Sequence, residues 1–481
     1  MSAPRAARPT FSGTPDWVKD AVFYQVFPDR FATSDRLVKP ANLEPWGSPP
    51  TVYGYKGGDL FGVAERLGHI QALGATAIYL NPVFQSTSNH RYHTHDYFRV
   101  DPLLGGDAGL RELLDRAHER GMRVILDGVF NHASRGFLQF NDVLENGEKS
   151  PYLDWFFVNR HPLNAYGGGD LGYLAWWDLP ALPKLNVANP RVREFVLDVA
   201  EHWLRFGADG WRLDVPAEID DDDFWREFRL RCRATREDAY LVGEIWDEAG
   251  RWLQGDMFDG VMNYPLARAI YGLVGRDVDT AEAAKSGLGR LERMGAAAFA
   301  DRTGKLLAAY PEEATLGQLN VLDSHDTPRM GTVLRGDETA IRQALTLQFA
   351  FPGSPCLYYG DEIGLRGGHD PRNRGTMPWA EQATWDVDLQ AFVSRLGALR
   401  AEVEPLRRGR AHVLNVRGAV VVRRESGTGV ACVCVNASDE PVELTGTALP
   451  ASRFLDRLGS GEPEDGAFTL PARGWALLTQ A

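Results

Sequence analysis

The sequence predicts an α/β fold, namely a closed (β/α)8 TIM barrel with a subdomain inserted after the third strand and an antiparallel β-domain at the C-terminus. Three observations lead to this prediction. Eight short β-branched or aromatic runs alternate with longer amphipathic segments, one strand-to-helix connection is unusually long, and short alternating strands replace this pattern near the C-terminus.

The eight runs lie at 21–27, 76–80, 123–127, 209–214, 240–244, 258–263, 317–323 and 355–360. Nearly continuous apolar strands separated by helices indicate a parallel sheet that is covered on both faces. Eight such units in a chain of this length fit a closed barrel. An open doubly wound sheet is the alternative, but no G-x-G-x-x-G follows the first run.

The long connection and the change of pattern give the predicted domain boundaries. Residues 1–20 are an N-terminal extension, 21–130 and 191–404 the barrel, 131–190 the inserted subdomain, and 405–481 a C-terminal β-sandwich domain. The insertion leaves the C-terminal end of a strand. It should therefore stand over the face where barrels of this type carry their sites.

Composition excludes several classes of partner. Lys plus Arg is 52 against 65 for Asp plus Glu, which gives a formal charge of −13, and no basic stripe is present, so a nucleic acid partner is not expected. The four cysteines follow neither a disulfide nor a metal-site spacing. No signal peptide and no apolar run of membrane-spanning length is found, so a membrane is not expected and a cytoplasmic location is predicted.

Polar side chains collect where the predicted strands end. Any one of them could be a cap or a surface ion pair, but charged or imidazole groups at four strand ends together favour a site. They are Asp127, Asn131 and His132 after the third strand, Arg212 and Asp214 at the fourth, Glu244 at the fifth, and His325 and Asp326 at the seventh.

Two carboxylates near one another, one ionised and one protonated, are typical of retaining glycoside hydrolysis. Arg212 lies two residues before Asp214, so both side chains should point the same way and Arg212 should keep Asp214 ionised. Ile245 and Trp246 give Glu244 apolar neighbours that should raise its pKa towards that of an acid catalyst. Metal-dependent hydrolysis is disfavoured because no H-x-x-x-H or H-x-H pair is predicted at the mouth.

The motifs "DGVFNH", "GWRLDV", "GEIW" and "SHD" resemble, in this order, the four conserved regions of the α-amylase superfamily of glycoside hydrolases, and the resemblance extends over residues 20–481. It implies that Asp214 is the nucleophile, Glu244 the general acid/base and Asp326 the carboxylate that fixes sugar hydroxyls. The resemblance also implies the substrate-binding residues His90, Tyr92, His132, Arg212, His325, Asp370 and Arg374. Trp246, which follows Glu244 closely, is a further candidate for substrate binding.

The stretch "LPKLN" at 182–186 resembles the M-P-K-L-N motif of the neopullulanase, cyclomaltodextrinase and maltogenic amylase group, in contrast to Q-P-D-L-N of oligo-1,6-glucosidases. This resemblance implies cleavage of α-1,4 bonds in maltooligosaccharides and cyclodextrins, with pullulan or starch as further substrates. A 4-α-glucanotransferase or an α-glucosidase could use the same residues, and a sugar-binding relative without activity is a third alternative.

Some features depart from that group. Its usual N-terminal β-domain is not found, so a monomer, or a dimer formed without that domain, is expected. After Asp214 the sequence reads "VPAE" instead of V-A-N-E, and the loop "ATSDRLVKPAN" lacks the carboxylates of a common calcium loop. Asn131 is a candidate calcium ligand, but one ligand is too few for an ion that takes six to eight oxygens. No required metal and no cofactor is predicted; Ca²⁺ is an option only.

Overall fold

The computed structural model describes residues 13–451, 453–459 and 466–480. Eight parallel strands form the predicted barrel, namely β1 (Phe23–Val26), β2 (Ala77–Leu80), β5 (Arg123–Gly128), β6 (Gly210–Leu213), β7 (Tyr240–Gly243), β8 (Gly260–Val261), β9 (Leu319–Val321) and β10 (Ser354–Tyr358). Their order in the sheet is β8-β7-β6-β5-β2-β1-β10-β9. The sheet closes where Met262, just after β8, forms a parallel bridge with Leu319 of β9.

Each of the eight predicted runs therefore overlaps one barrel strand, and the predicted fold class is confirmed. Burial explains the apolar runs, because every residue of β1, β2, β6, β7 and β10 is buried. A strand that is covered on both faces is mostly apolar, and its few polar residues, such as Gln25 and Arg212, have buried hydrogen-bond partners.

Helices surround the barrel and pack on its outer face. The α-helices are α1 (Asp16–Asp20), α2 (Pro28–Phe31), α3 (Leu60–Glu65), α4 (Leu67–Ala72), α5 (Gly106–His118), α6 (Leu138–Asn146), α7 (Pro190–Phe206), α8 (Asp222–Thr235), α9 (Tyr264–Val274), α10 (Thr280–Ala283), α11 (Ala296–Ala308), α12 (Glu312–Leu316), α13 (Met330–Val333), α14 (Glu338–Ala350), α15 (Val387–Glu402) and α16 (Glu404–Arg408). Short 3-10 turns lie at Pro102–Leu104, Gly147–Lys149, Leu153–Trp155, Trp176–Asp178, Pro216–Glu218, Asp361–Ile363, Arg372–Arg374, Gln382–Thr384 and Gly446–Ala448.

Local sequence explains how α7 returns the chain from the insertion to the barrel. The Asn189 side chain accepts a hydrogen bond from the backbone N–H of Arg191, and Pro190 occupies the first turn. Gly207 ends the helix with φ +120, a conformation that favours glycine. This helix delivers the chain to β6, which precedes Asp214.

A hairpin that the sequence reading did not predict follows β2. It consists of β3 (Phe84–Ser86) and β4 (Thr94–Val100), and its turn carries His90 and Tyr92. Arg91, between them, has φ +59; its guanidinium is buried and its Nε donates to Asp101 at 3.0 Å. Arg91 thereby fixes the turn from the inside while its two neighbours face the barrel mouth.

The inserted subdomain is held by isolated bridges rather than by a regular sheet. Two of them join the strand-three end and the subdomain to the "LPKLN" segment, namely His132 with Lys184 and Phe156 with Leu185. The Lys184 ammonium also donates to the carbonyl of Glu218 at 2.7 Å, in the loop after β6. Lys184 is therefore a structural contact and not a solvated side chain.

The C-terminal domain contains the strands β11 (Arg410–Val416), β12 (Ala419–Ser426), β13 (Gly429–Val435), β14 (Val442–Thr445), β15 (Phe454–Asp456), β16 (Ala467–Leu470) and β17 (Trp475–Gln480). A five-stranded sheet, in the order β11-β12-β13-β17-β15, packs against the pair β14-β16. Cys432 and Cys434 of β13 face this pair from the same side of their strand.

The structure adds detail at two predicted boundaries. The first strand of the C-terminal domain, β11, begins at Arg410, and residues 404–408 form α16 between the end of α15 and this strand. In the predicted extension 1–20, residues 1–12 lie outside the described part, but α1 packs on the barrel with Val18 fully buried. Within the described ranges, no helix has both the length and the hydropathy of a membrane span.

Candidate active site

A cleft of about 650 Å³ opens at the C-terminal ends of the barrel strands, below the inserted subdomain. All eleven predicted site residues line it or lie directly behind it; Arg212 and His325 are the two fully buried ones. The lining residues are His90, Tyr92, His93, His132, Trp176, Trp177, Leu179, Leu182, Asp214, Val215, Glu244, Trp246, Lys285, Ser286, Gly287, Asp326, His369, Asp370 and Arg374.

Arg212 connects the two candidate catalytic carboxylates. Its Nη1 donates to Asp214 Oδ1 at 2.9 Å and to Asp127 Oδ1 at 2.9 Å. Its Nη2 lies 3.0 Å from Glu244 Oε1. Because the guanidinium is fully buried, these contacts act in a medium that screens charge weakly. One cation therefore holds carboxylates from three strands in a fixed arrangement.

Burial sets the pKa values of the two carboxylates. It raises the pKa of Glu244 to about 7, although Arg212 acts in the opposite direction. This agrees with the expectation for an acid catalyst. Burial also raises the pKa of Asp214 well above its usual range, and Arg212 lowers it only in part. The expectation that Arg212 alone keeps Asp214 ionised is thus too simple, because the two carboxylates compete for one guanidinium.

Asp326 differs from the other two carboxylates. His325 Nε2 lies 2.9 Å from Asp326 Oδ2, and Arg374 Nη2 donates to Asp326 Oδ1 at 3.2 Å. Although burial raises it, these contacts hold the pKa of Asp326 well below its usual range. Burial lowers the pKa of His325, so the contact comes from a neutral ring. Asp326 is therefore ionised when Glu244 carries a proton.

Tyr92 and His325 form a stacked pair in the floor of the cleft, with ring centroids 5.4 Å apart and planes 6° from parallel. The Tyr92 hydroxyl donates to Asp127 Oδ2 at 2.8 Å and lies 2.6 Å from His325 Nε2. Gln25 Nε2 approaches His325 Nδ1 at 2.9 Å, which assigns the ring proton to Nε2. The Tyr92 ring is thus fixed at its polar end and leaves a flat face for a sugar.

Two tryptophans that the sequence reading did not single out extend the wall from His132. His132 stacks on Trp176 at 5.2 Å, and Trp176 stacks on Trp177 at 4.4 Å. Trp177 is 76% exposed and has φ +52, an uncommon conformation for a residue with a side chain. The signal available was "AWWD", shortly before "LPKLN".

His132 offers a free donor to this wall. Asn131 Nδ2 approaches His132 Nδ1 at 3.3 Å, which leaves the proton on Nε2. That atom is buried and has no hydrogen-bond partner among the described residues. Burial lowers the pKa of His132 to about 3, so the ring is neutral. A buried donor without a partner at the edge of a cleft suits a ligand hydroxyl.

On the opposite side, Trp246 forms a third aromatic surface. Its ring stacks on Tyr264 with centroids 3.8 Å apart and an angle of 11°. Gly287 touches the other part of this ring so closely that a Cβ there would lie 2.3 Å from it. The segment around Gly287 therefore fixes Trp246, and only glycine fits at that contact.

The segment after β10 brings in Asp370 and Arg374. Arg374 Nη1 lies 3.0 Å from Asp370 Oδ1, and the same guanidinium reaches Asp326. Two neighbours that sequence reasoning missed, His369 and Lys285, line the same rim. Neither follows a strand end directly, so no pattern marked them.

His93 corrects one further expectation. It starts an H-x-H pair with His95 and lines the cleft, whereas the sequence reading placed no such pair at the mouth. Burial lowers the pKa of His93 to about 4. Within the described residues, however, no group of three or more His, Cys, Asp or Glu side chains could hold a metal ion.

The residue that follows Asp214 is strained. Val215 has φ +35, and its backbone N–H donates to Glu244 Oε2 at 3.1 Å. Such strain in a β-branched residue persists only where the surroundings impose it. Here it aims one N–H at the candidate acid catalyst.

Comparison with known proteins identifies the family. A model described as the alpha amylase catalytic domain matches residues 25–391. The chain belongs to the α-amylase family. The resemblance stated from the four motifs is thereby confirmed.

Three α-amylase family relatives illustrate the similarity. A cyclomaltodextrinase from Geobacillus thermopakistaniensis (strain MAS1) is 42% identical over 473 residues, which cover 96% of this chain and 77% of that protein. The crystal structure of Ttha1563 from Thermus thermophilus is 50% identical with a TM-score of 0.92, over 97% of this chain and 100% of that one. A cyclic α-maltosyl-(1→6)-maltose hydrolase from Arthrobacter globiformis, in complex with that sugar, is 37% identical with a TM-score of 0.87, over 98% and 100%.

Many α-amylase family members bind calcium, but the residues present here do not fit a calcium site. The loop after α2 faces the buried carboxylate of Asp59, and the Lys39 ammonium lies on that carboxylate together with the backbone N–H of Ser34 at 2.8 Å. Asn131 has a buried Oδ1 without a described partner, but one amide oxygen falls far short of six ligands. No step of the chemistry is assigned to a metal.

Proposed function

We propose that the chain is a retaining hydrolase that cleaves α-1,4-glucosidic bonds of maltooligosaccharides and cyclodextrins, with pullulan and starch as further substrates. Family membership makes it a glycoside hydrolase acting on α-glucans. The observation that carries the proposal is Arg212, which contacts Asp214 and Glu244 at 2.9 and 3.0 Å and so holds the two carboxylates beside each other.

In this proposal Asp214 attacks the anomeric carbon while Glu244 protonates the leaving oxygen, so one C–O bond forms as the glycosidic bond breaks. Arg212 binds Asp214 Oδ1, which leaves Oδ2 as the attacking oxygen. Glu244 then accepts a proton from water, and the water oxygen displaces Asp214 from the sugar. The pKa of Glu244, raised by burial to about 7, suits both steps.

The remaining residues bind and orient the sugars. Ionised Asp326 accepts hydrogen bonds from sugar hydroxyls in the cleavage position, and the neutral Nε2–H of His132 donates to another. Tyr92 offers a flat apolar face to the sugar at the cleavage point. The part of the Trp246 ring that Tyr264 and Gly287 leave open lines the cleft nearby. Asp370 and Arg374 bind the neighbouring sugar at the rim.

The preferred substrates in this proposal are short or cyclic, and the polymers pullulan and starch are secondary. Two relatives are named for hydrolysis of cyclic glucans, a cyclomaltodextrinase and a cyclic α-maltosyl-(1→6)-maltose hydrolase. The "LPKLN" motif points to the same group. A cleft of about 650 Å³ accommodates a few sugar units rather than a long chain in full contact.

We further propose that a monomer is competent and acts in the cytoplasm. The three candidate catalytic carboxylates Asp214, Glu244 and Asp326, with the cations that contact them, make a complete set for the proposed reaction within a single chain. All four cysteines are buried and unpaired, which suits a reducing compartment. Light scattering during an activity assay tests the first point, because a monomer should turn over substrate at full rate.

The deciding experiment incubates the purified protein with maltotriose, β-cyclodextrin and pullulan and resolves the products. We expect glucose and maltose from the first two, and panose from pullulan because α-1,4 bonds break while α-1,6 bonds remain. Maltotriose from pullulan would assign the enzyme to α-1,6 bonds instead. Products longer than the substrate, formed with no increase in the number of reducing ends, would identify a glucanotransferase.

A further inference from the structure

We infer that Glu282 is a positioning residue, a latch that joins two segments of the cleft rim and thereby sets the affinity of the site for an oligosaccharide. The inference rests on the proposed function for its choice of ligand. Glu282 lies on the short helix α10, away from the reacting carboxylates, and no sequence motif marks it. Its side chain is only 12% exposed.

Four donors converge on the Glu282 carboxylate. Oε1 accepts from the backbone N–H of His369 at 2.8 Å, from the Arg372 guanidinium at 2.7 Å, and lies 2.6 Å from His369 Nδ1. Oε2 accepts from the Lys285 ammonium at 2.7 Å. Hydrogen bonds to a carboxylate are about twice as strong as neutral ones, so this set holds its partners firmly.

The donors come from two segments that are far apart in sequence. Lys285 belongs to residues 282–287, after α9, and His369 and Arg372 belong to residues 368–374, after β10. Both segments line the cleft. The Glu282 carboxylate thus connects the rim segment 282–287 with the rim segment 368–374.

Close packing supports the same reading. At Gly368 a Cβ atom would lie 2.2 Å from Glu282 Oε1, so this glycine lets the carboxylate approach the backbone. Burial raises the pKa of Glu282, but hydrogen bonds from Lys285 and His369 outweigh it and lower the value to about 2. The latch therefore stays charged, and closed, throughout the neutral range.

The two tied segments each control a predicted sugar contact. On one side Gly287 packs on the Trp246 ring, and Arg268 donates to the carbonyls of both residues. On the other side His369 precedes Asp370, which pairs with Arg374. Releasing the latch should loosen both contacts without touching Arg212, so binding weakens while the chemical step continues.

The test replaces the carboxylate by an amide of equal size, Glu282→Gln, with Glu338→Gln as the matched control. Glu338 is an exposed glutamate on α14 with a single long contact to Arg342. We expect KM for maltoheptaose to rise about tenfold with kcat within twofold, and turnover of 4-nitrophenyl α-glucoside to be unchanged. Calorimetric binding of maltoheptaose in an Asp214→Asn background should weaken by the same factor, which separates this inference from any failure of hydrolysis.

A second variant tests the contact itself. Gly368→Ala should raise KM for maltoheptaose in the wild-type background, because its methyl displaces the carboxylate, but should add nothing in a Glu282→Gln background. An unchanged KM in Glu282→Gln, equal losses of kcat on both substrates, or additive effects of the two changes would each overturn the positioning role. Melting temperatures are measured for every variant, and a loss that follows the melting temperature rather than substrate length also overturns it.

Discussion

Arg212 Nη1 donates to Asp214 Oδ1 at 2.9 Å while Nη2 of the same guanidinium lies 3.0 Å from Glu244 Oε1. The two residues at the centre of the site thus share one buried cation. Whichever carboxylate loses its proton first takes most of the benefit of that charge, so the other keeps its proton to a higher pH. This is the division of roles that a retaining glycosidase needs.

The first prediction concerns Asp214→Asn. The amide keeps the size of the side chain but cannot form the covalent bond to the sugar, so kcat should fall by at least about a thousandfold. The melting temperature should change little, because the side chain lies at the mouth of the barrel and not in its core. Activity within tenfold of wild type would remove Asp214 from the nucleophile's role.

The second prediction concerns stereochemistry. Displacement by Asp214 and then by water inverts the anomeric carbon twice, so the first product of maltotriose hydrolysis should be the α-anomer. Early proton NMR spectra, recorded before mutarotation, check this. A predominance of the β-anomer would exclude a covalent intermediate on Asp214.

The third prediction concerns pH. Glu244 must be protonated to act, and its pKa is about 7, so kcat/KM should be maintained below pH 7 and fall as the pH rises through that value. The acid limb, which reports ionisation of Asp214, should lie above the usual carboxylate range because burial raises that pKa. The substrate α-maltosyl fluoride has a leaving group that needs no proton. With this substrate, the rate constant of the first step, in which the glycosyl-enzyme forms, should show no alkaline limb in the Glu244→Gln variant. Retention of that limb would assign it to another group.

The fourth prediction concerns Trp177, whose outer face is free while its inner face stacks on Trp176. Loss of a stacking surface costs about 1 kcal/mol, so Trp177→Ala should raise KM for maltoheptaose roughly fivefold. Tyr166→Ala is the matched control, since Tyr166 is also 76% exposed, in the same subdomain, but does not line the cleft. Equal effects of both changes would show that the subdomain as a whole, and not this ring, is responsible.

The fifth prediction concerns metal removal. EDTA should leave activity and melting temperature unchanged, because the Lys39 ammonium already neutralises the buried Asp59. Lys39→Met should lower the free energy of unfolding by about 2 kcal/mol, since a buried carboxylate loses its charged partner. Lys305→Met, at an exposed pair on α11, is the control and should cost under about 0.5 kcal/mol. Activity that EDTA abolishes and calcium restores would contradict this account.

The sequence was sufficient for the barrel and for placing the candidate catalytic carboxylates at strand ends, because both depend on local patterns. A buried parallel strand is mostly apolar, and the residue after its last position lies at the mouth, as Asp214 and Glu244 do. The turn that carries Tyr92 could not be placed, because it depends on Arg91 reaching Asp101 across a hairpin. Its contribution had to come from the family resemblance.

Other contacts depend on segments that meet only after folding. Glu282 is an ordinary glutamate in the sequence, and its role follows from Gly368 and the neighbouring His369, which lie far along the chain. The pKa of Asp214 also could not be read from Arg212 alone, since the depth of burial outweighs the nearest charge. The depth at which a side chain is buried cannot be inferred from the residues next to it in sequence.

The hydrogen bond from Lys184 to the carbonyl of Glu218 gives the "LPKLN" motif a structural role. It ties the inserted subdomain to the loop whose first residue, Val215, donates to Glu244. The loops 182–186 and 215–218 therefore depend on each other for their conformation. An exchange of specificity between family members should graft residues 182–186 and 215–218 together, since either loop alone would arrive without the partner that sets its shape.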